Sequence, residues 1–123
     1  MRHFILLIIA LFSLNSGVLA QKKLPLLESK NEIIQRAIAE LDSAMQAPKG
    51  ELYLFIQKYQ IKGEYTMQLT LREKGKVVSV FVADKNNADI PSQNRLKDRL
   101  MKFKFQFKMP KNKDYKLNYH FNL

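Results

Sequence analysis

The residues best suited to contact a ligand are the basic side chains in the last third of the chain. Between Arg95 and Lys116 the sequence holds nine Lys and Arg residues and two Asp residues, a net charge of +7, whereas residues 21–94 carry +2. The candidate binding residues are Arg95, Arg99, Lys102, Lys104, Lys108, Lys111 and Lys113. Concentrated positive charge attracts anionic partners. This segment therefore predicts either contact with an anionic partner or a solvated basic face that keeps the domain soluble.

The stretch from Lys102 to Lys108 alternates phenylalanine with polar side chains. In a cytoplasmic protein this interleaving would favour nucleic acid, because bases stack on aromatic rings and phosphates pair with Lys and Arg. An exported chain rarely meets nucleic acid, so we expect lipid head groups, lipopolysaccharide or cell-wall polymer instead. We also expect the alternating phenylalanines to belong to the core rather than to a stacking platform.

Groups that could perform catalysis are few. The chain has no cysteine and only two histidines, His3 and His120. Nucleophilic triads need a base beside a Ser or Cys, and a lone strand histidine offers no second metal ligand. The polar loop Asp84–Asp89 lacks the ligand spacing of an EF-hand, and four glycines form no phosphate-binding loop. We predict a non-enzymatic protein without metal or cofactor.

The first twenty residues, Met1–Ala20, have the pattern of a secretory signal peptide. Arg2 and His3 form a basic start, Phe4–Leu14 is largely apolar, and small residues precede Gln21. We predict cleavage after Ala20 and a periplasmic or secreted single domain over residues 21–123, with no stable membrane span after cleavage. The alternative is a segment kept as a membrane anchor. Without cysteine, the chain is neither a thioether-anchored lipoprotein nor a disulfide scaffold.

Strict alternation predicts a β-hairpin in the middle of the chain. Tyr65–Arg72 alternates apolar and polar residues, Glu73–Lys76 supplies a turn around Gly75, and Val77–Ala83 is rich in β-branched residues. Alternation also predicts a C-terminal strand over Tyr115–Phe121. The apolar run Glu51–Lys58 predicts a further strand.

Two helices are predicted from capping residues and apolar spacing. Ser29 and Glu32 have the spacing of a capping box before a helix that ends ahead of Pro48. Asp89 can cap a second helix with Pro91 in its first turn, after which Phe103–Met109 alternates as extended chain. The prediction is an α+β fold in two layers: an antiparallel sheet of three to five strands packed against two helices.

Taken in order, these elements resemble the C-terminal domain of TonB-type energy transducers over about residues 63–123. The residues that carry the resemblance are the hairpin turn Gly75-Lys76-Val77, the polar loop and helix that follow, Phe105–Pro110, and the closing strand Tyr115–Phe121. The resemblance implies a small periplasmic α+β domain that pairs an edge strand with a short segment of an outer-membrane receptor. A transducer also has a retained N-terminal helix and a Pro-rich linker. In this chain the first segment is predicted to be cleaved and no Pro-rich linker follows it. The resemblance therefore implies only the docking fold and not coupling to a membrane motor.

The expected function is an exported module that binds another envelope protein, such as one in the outer membrane, by strand addition. One alternative is a basic module that lays Lys102, Lys104 and Lys108 against an anionic envelope polymer or lipid head groups. A further alternative is a cystatin-like inhibitor, since one helix followed by antiparallel strands also suits that architecture.

Overall fold

A computed structural model describes residues 23–123, so the predicted signal peptide, Met1–Ala20, lies outside the described residues. The described part folds into three helices and three strands. In chain order these are α1 (Lys30–Ala44), α2 (Glu51–Tyr59), β1 (Glu64–Arg72), β2 (Lys76–Asn86), α3 (Ile90–Met101) and β3 (Tyr115–Asn122), with a 3₁₀ turn at Glu73–Gly75 between β1 and β2. The α+β fold class is confirmed.

The strands form one antiparallel sheet in the order β2-β1-β3. Its register places Leu69 opposite Val80 on one side and Leu117 on the other. Because side chains alternate across a strand, the buried apolar residues of the three strands share one face, whereas Phe81 of β2, opposite Gln68, lies on the other face and is 62% exposed. The face with the buried residues forms the core with the helices, and α3 packs beside β2 while α1 packs beside β3.

Both predicted helix caps are confirmed. The Ser29 hydroxyl accepts a hydrogen bond from the Glu32 amide at 3.3 Å, at the start of α1. The Asp89 carboxylate accepts from the Ser92 amide at 2.8 Å and from the Ser92 hydroxyl at 3.0 Å, at the start of α3. These bonds satisfy backbone donors that a helix start leaves without intrahelical partners.

The strand predicted over Glu51–Lys58 is wrong, because this segment forms α2. Leu52 and Ile56, four residues apart, are its buried residues, whereas Leu54 between them is 52% exposed. Burial therefore follows the period of a helix and not the alternation of a strand. The helix ends at Gln60, which adopts a left-handed conformation with φ of 51°.

The segment Phe103–Met109, which we call the phenylalanine segment, forms no regular strand, since the predicted extended chain bends at Gln106–Phe107. It makes isolated backbone bridges to the rest of the protein, and the Gln106 amide donates a hydrogen bond to the Glu40 carboxylate at 2.7 Å. Lys104 is paired with Lys76, and Lys108 with Leu26. The alternating apolar residues Phe103, Phe105, Phe107 and Met109 are all buried. The prediction that these phenylalanines belong to the core is confirmed.

At the turn end of the hairpin, the backbone of Gly75 is in close contact with the phenylalanine segment. Gly75 has φ of +69°, a conformation that glycine adopts without steric cost. Its carbonyl accepts a hydrogen bond from the Phe105 amide at 3.1 Å. A Cβ at this position would lie 2.5 Å from the Phe105 carbonyl oxygen. The absence of a side chain thus lets two basic segments, distant in sequence, lie side by side.

Candidate functional site

A cavity of about 640 Å³ lies between the hairpin turn, the end of α3 and the start of the phenylalanine segment. We call it the basic groove. Its lining consists of Arg72, Glu73, Lys74, Lys76, Val77, Met101, Lys102, Phe103, Lys104 and Lys111. Six of these residues are basic and one is acidic. An anion entering the groove would therefore meet a strongly positive surface.

The lysines of the basic groove keep their charges available. Within residues 23–123, none of its five lysines forms an ion pair, whereas Arg72 makes a bidentate pair with Asp114 at 2.9 and 3.0 Å. The hydrogen bond and charge of Arg72 lower the pKa of the Asp114 carboxyl below its usual value. Arg72 is therefore committed to holding β1 against the start of β3, and the lysines are left to face a ligand.

Two of these lysines face each other directly. Lys76 at the start of β2 and Lys104 form an antiparallel bridge. Side chains directly opposite each other in such a pair have Cβ atoms about 5 Å apart, and like charges in this position are destabilising. Two exposed lysines thus occupy opposed positions in the lining of the groove, an arrangement that is unfavourable for folding.

A second cavity, of about 280 Å³, adjoins the basic groove. The two share Glu73, Lys74 and Lys111. The remaining lining residues of the second cavity are Leu26, Lys108, Met109 and Pro110. Its surface is thus largely apolar, with a basic rim that continues the rim of the groove.

The structure brings together only part of the predicted binding set. Lys102, Lys104 and Lys111 line the basic groove, and Lys108 lines the adjoining cavity. Lys113 is exposed in the turn before β3 and lines neither cavity.

Arg95 and Arg99 also lie outside the groove, on the face of α3 that meets α2. The Arg95 guanidinium sits 4.5 Å from the ring centre of Tyr59, and Arg99 pairs with Glu51 at 3.2 Å. Cation–π contacts and ion pairs of this kind stabilise packing. These two arginines therefore lie apart from the basic groove, and their role in binding stays a prediction.

Sequence reasoning missed the contribution of the hairpin turn. Arg72, Lys74 and Lys76 surround Gly75 within five residues, a local density of charge that could have been noticed. Their proximity to Lys102 and Lys104 depends on the contact between the turn and the phenylalanine segment, which no sequence spacing reveals.

A second surface of interest is the outer edge of β3. The Leu123 amide donates a hydrogen bond to the Gly63 carbonyl at 3.0 Å. With the β1–β3 register, this bond shows that the odd-numbered residues of β3 are the ones whose backbone groups bond to β1. In an antiparallel ladder, residues alternate between bonding the neighbouring strand and pointing their backbone groups outward. The β3 residues with outward backbone groups are Lys116, Asn118, His120 and Asn122. Within residues 23–123, no backbone hydrogen bond closes this side of β3.

The β2 edge differs from the β3 edge. The β1–β2 register shifts twice, between Thr66 and Met67 and between Thr70 and Leu71, whereas the β1–β3 register runs without a shift. Bulges bend a strand and interrupt its pairing pattern. Lys76, the first residue of β2, is also already paired with Lys104. β3 is therefore the regular, open edge of the sheet.

No metal-binding cluster accompanies these surfaces in the part of the chain that the structure describes. The His120 ring contacts Thr66 Oγ1 at 3.1 Å and lies 3.8 Å from a Glu64 carboxylate oxygen, all on the polar face of the sheet. Residues 23–123 contain no cluster of three or more potential metal-ligating side chains. Over the same range, no helix has the length and apolar character needed to cross a bilayer.

Comparisons with models of known families, with curated proteins and with solved structures found no match to this chain. The resemblance to the TonB C-terminal domain therefore stays a prediction.

Proposed function

We propose that this protein is a non-enzymatic, exported binding module of the cell envelope that docks on another protein by strand addition at β3. The observation that carries the proposal is the regular, open edge of this eight-residue strand. An extended peptide can pair with such an edge, and main-chain hydrogen bonds then supply affinity whatever the peptide sequence.

The alternation of β3 indicates what such a peptide would contact. On the polar face of the sheet, the edge presents the exposed side chains of Lys116, Asn118 and His120. On the other face, the half-buried Tyr115 and Tyr119 line the margin of the core. We therefore expect a partner segment with apolar residues on one side, to cover the tyrosines, and an acidic residue on the other, opposite Lys116.

Site-specific photo-crosslinking tests this proposal. A photoreactive amino acid replaces Lys116 on the β3 edge, and in the control chain it replaces Ser79, an exposed residue of β2. Cells expressing each chain are irradiated, and crosslinked peptides are identified by mass spectrometry. The proposal predicts that position 116 crosslinks to one extended segment of an envelope protein and that position 79 does not. Equal crosslinking from both positions would contradict docking at β3.

A second candidate function, binding of an anionic ligand, is supported by a separate observation. The basic groove gathers five lysines that pair with no described carboxylate, at the turn end of the hairpin. The two functions use different residues, so one chain can perform both.

A further inference from the structure

We propose that the basic groove binds one anionic phospholipid, with the lipid phosphate between Lys76 and Lys104 and an acyl chain on the apolar floor. This inference rests on the second candidate function, anion binding in the basic groove, and does not depend on docking at β3. It assigns the groove to a membrane surface rather than to a soluble polymer.

The paired lysines favour a phosphate at this position. Lys76 and Lys104 lie opposite each other in the bridge, and Lys102 also lines the groove. Their repulsion is unfavourable in the free protein. A phosphate between the two ammonium groups would replace that repulsion with two charge-assisted hydrogen bonds. The stabilisation gained on binding is therefore greatest for an anion held at this point.

The floor of the groove favours an amphiphile over a simple anion. Of the three apolar residues that line it, Val77 and Phe103 are 2% and 5% exposed, so the apolar surface open to water comes from Met101, a large apolar side chain that is 43% exposed. A hydrophilic polymer would leave this surface in contact with water, whereas an acyl chain would cover it.

The adjoining cavity extends the apolar surface. Leu26, which is 57% exposed, lines it together with the partly buried Pro110 and with Met109, which is only 2% exposed. The groove alone, at about 640 Å³, lies within the range of small-molecule sites, about 300–1,000 Å³. One lipid head group with part of its acyl chains fits this combination of size, charge and apolar surface.

The first experiment measures binding to phosphatidylglycerol vesicles by co-sedimentation, using the chain as recovered from the envelope. The double variant K76E/K104E removes the paired lysines. The matched control K58E/K85E makes the same change in net charge at two exposed positions away from the groove. We expect the groove variant to weaken binding by a factor on the order of thirty or more, since each lysine near an anionic surface contributes about fivefold. The control should weaken binding only slightly.

Equal losses in the two variants would show that the membrane responds to total charge, and would overturn the site. Thermal melting of each variant confirms that it is folded. If K76E/K104E does not fold, K76Q/K104Q provides the same comparison with K58Q/K85Q, with a smaller expected loss.

The second experiment separates a lipid from a free head group. Monomeric dihexanoyl-phosphatidylglycerol and glycerophosphoglycerol, which lacks acyl chains, are titrated against the protein and followed by NMR. We expect the lipid to shift the Met101 methyl signal and to bind at least about tenfold more tightly than the head group. Equal affinities would leave only a phosphate site and overturn the lipid assignment. Tighter binding of inorganic polyphosphate or RNA than of lipid vesicles at the same salt concentration would also overturn it.

Discussion

The contact between the hairpin turn and the phenylalanine segment can be tested by a single methyl group, in the variant Gly75→Ala. Gly75 has φ of +69°, and a left-handed conformation costs a residue with a Cβ about 1–2 kcal/mol. The new Cβ would lie 2.5 Å from the Phe105 carbonyl and 2.8 Å from the Phe107 carbonyl. Both are backbone atoms, so the clash cannot be relieved by rotating a side chain.

The turn must therefore separate from the segment, which breaks the 3.1 Å hydrogen bond from the Phe105 amide to the Gly75 carbonyl. That loss adds about 1 kcal/mol. The total destabilisation is about 2–3 kcal/mol, equivalent to a fall in Tm of about 8–24 °C for a domain of this size. Thermal unfolding followed by circular dichroism measures it.

The control is Lys74→Gly, one residue earlier in the turn. Lys74 also has a positive φ, 66°, and glycine removes its strain. We expect the Tm to rise by a few degrees, because the relief of about 1–2 kcal/mol of strain is partly offset by the greater freedom of glycine in the unfolded chain, about 0.4–1 kcal/mol. A Tm for Gly75→Ala within about 2 °C of the wild-type value, on the scale of these small-domain melting shifts, would refute the close contact. A fall of similar size in both variants would refute the assigned turn geometry.

Three further changes test the core, a helix cap and the groove. Phe107→Ala removes a fully buried ring and should lower the unfolding free energy by about 3–5 kcal/mol. Phe81→Ala, at a residue that is 62% exposed, should lower it far less. Chemical denaturation of the two variants compares these losses, and equal losses would contradict the assigned core. The hydrogen bonds from Ser92 lower the pKa of Asp89 below its ordinary value of 3.8, so its contribution to stability is present above about pH 4 and lost as pH falls further. Asp89→Asn should therefore lose less Tm than wild type between pH 6 and pH 2, and an unchanged pH dependence would contradict this role. Lys104→Gln should raise the unfolding free energy of the ligand-free protein by about 0.2–1 kcal/mol by removing a like-charge pair, and lowered stability at low salt would contradict that repulsion.

Elements whose signals are local could be predicted from the sequence. The hairpin, both helix caps and the C-terminal strand depend on neighbouring residues, and the structure confirms each of them. The exception is α2, where a continuous apolar run was interpreted as a strand. Its apolar residues include Leu52, Phe55, Ile56 and Tyr59, which have the spacing of one helix face. This helical spacing is better evidence for the type of element than the uninterrupted apolar run, which suits a strand or a helix equally.

The candidate site could be predicted only in part, because its charges converge through the tertiary fold. Lys102, Lys104 and Lys111 belong to the basic segment that composition identifies, but Lys76 comes from the hairpin. Counting charge along the chain also included Arg95 and Arg99, whose side chains point to α2 instead. Which edge of the sheet is open likewise depends on register shifts in β2, and these have no clear signature in its sequence.

Docking at the β3 edge is tested most directly by removing one outward amide. Asn118→Pro deletes an N–H that points away from the sheet, and proline is tolerated on an edge strand where the N–H faces solvent. Asn118→Ala is the matched control, since it removes the same side chain but keeps the amide. With the photo-crosslinker at position 116, the proposal predicts that partner crosslinking is lost in the proline variant and retained in the alanine variant, with both folded by circular dichroism. Retained crosslinking in a folded Asn118→Pro protein would contradict strand addition at this edge.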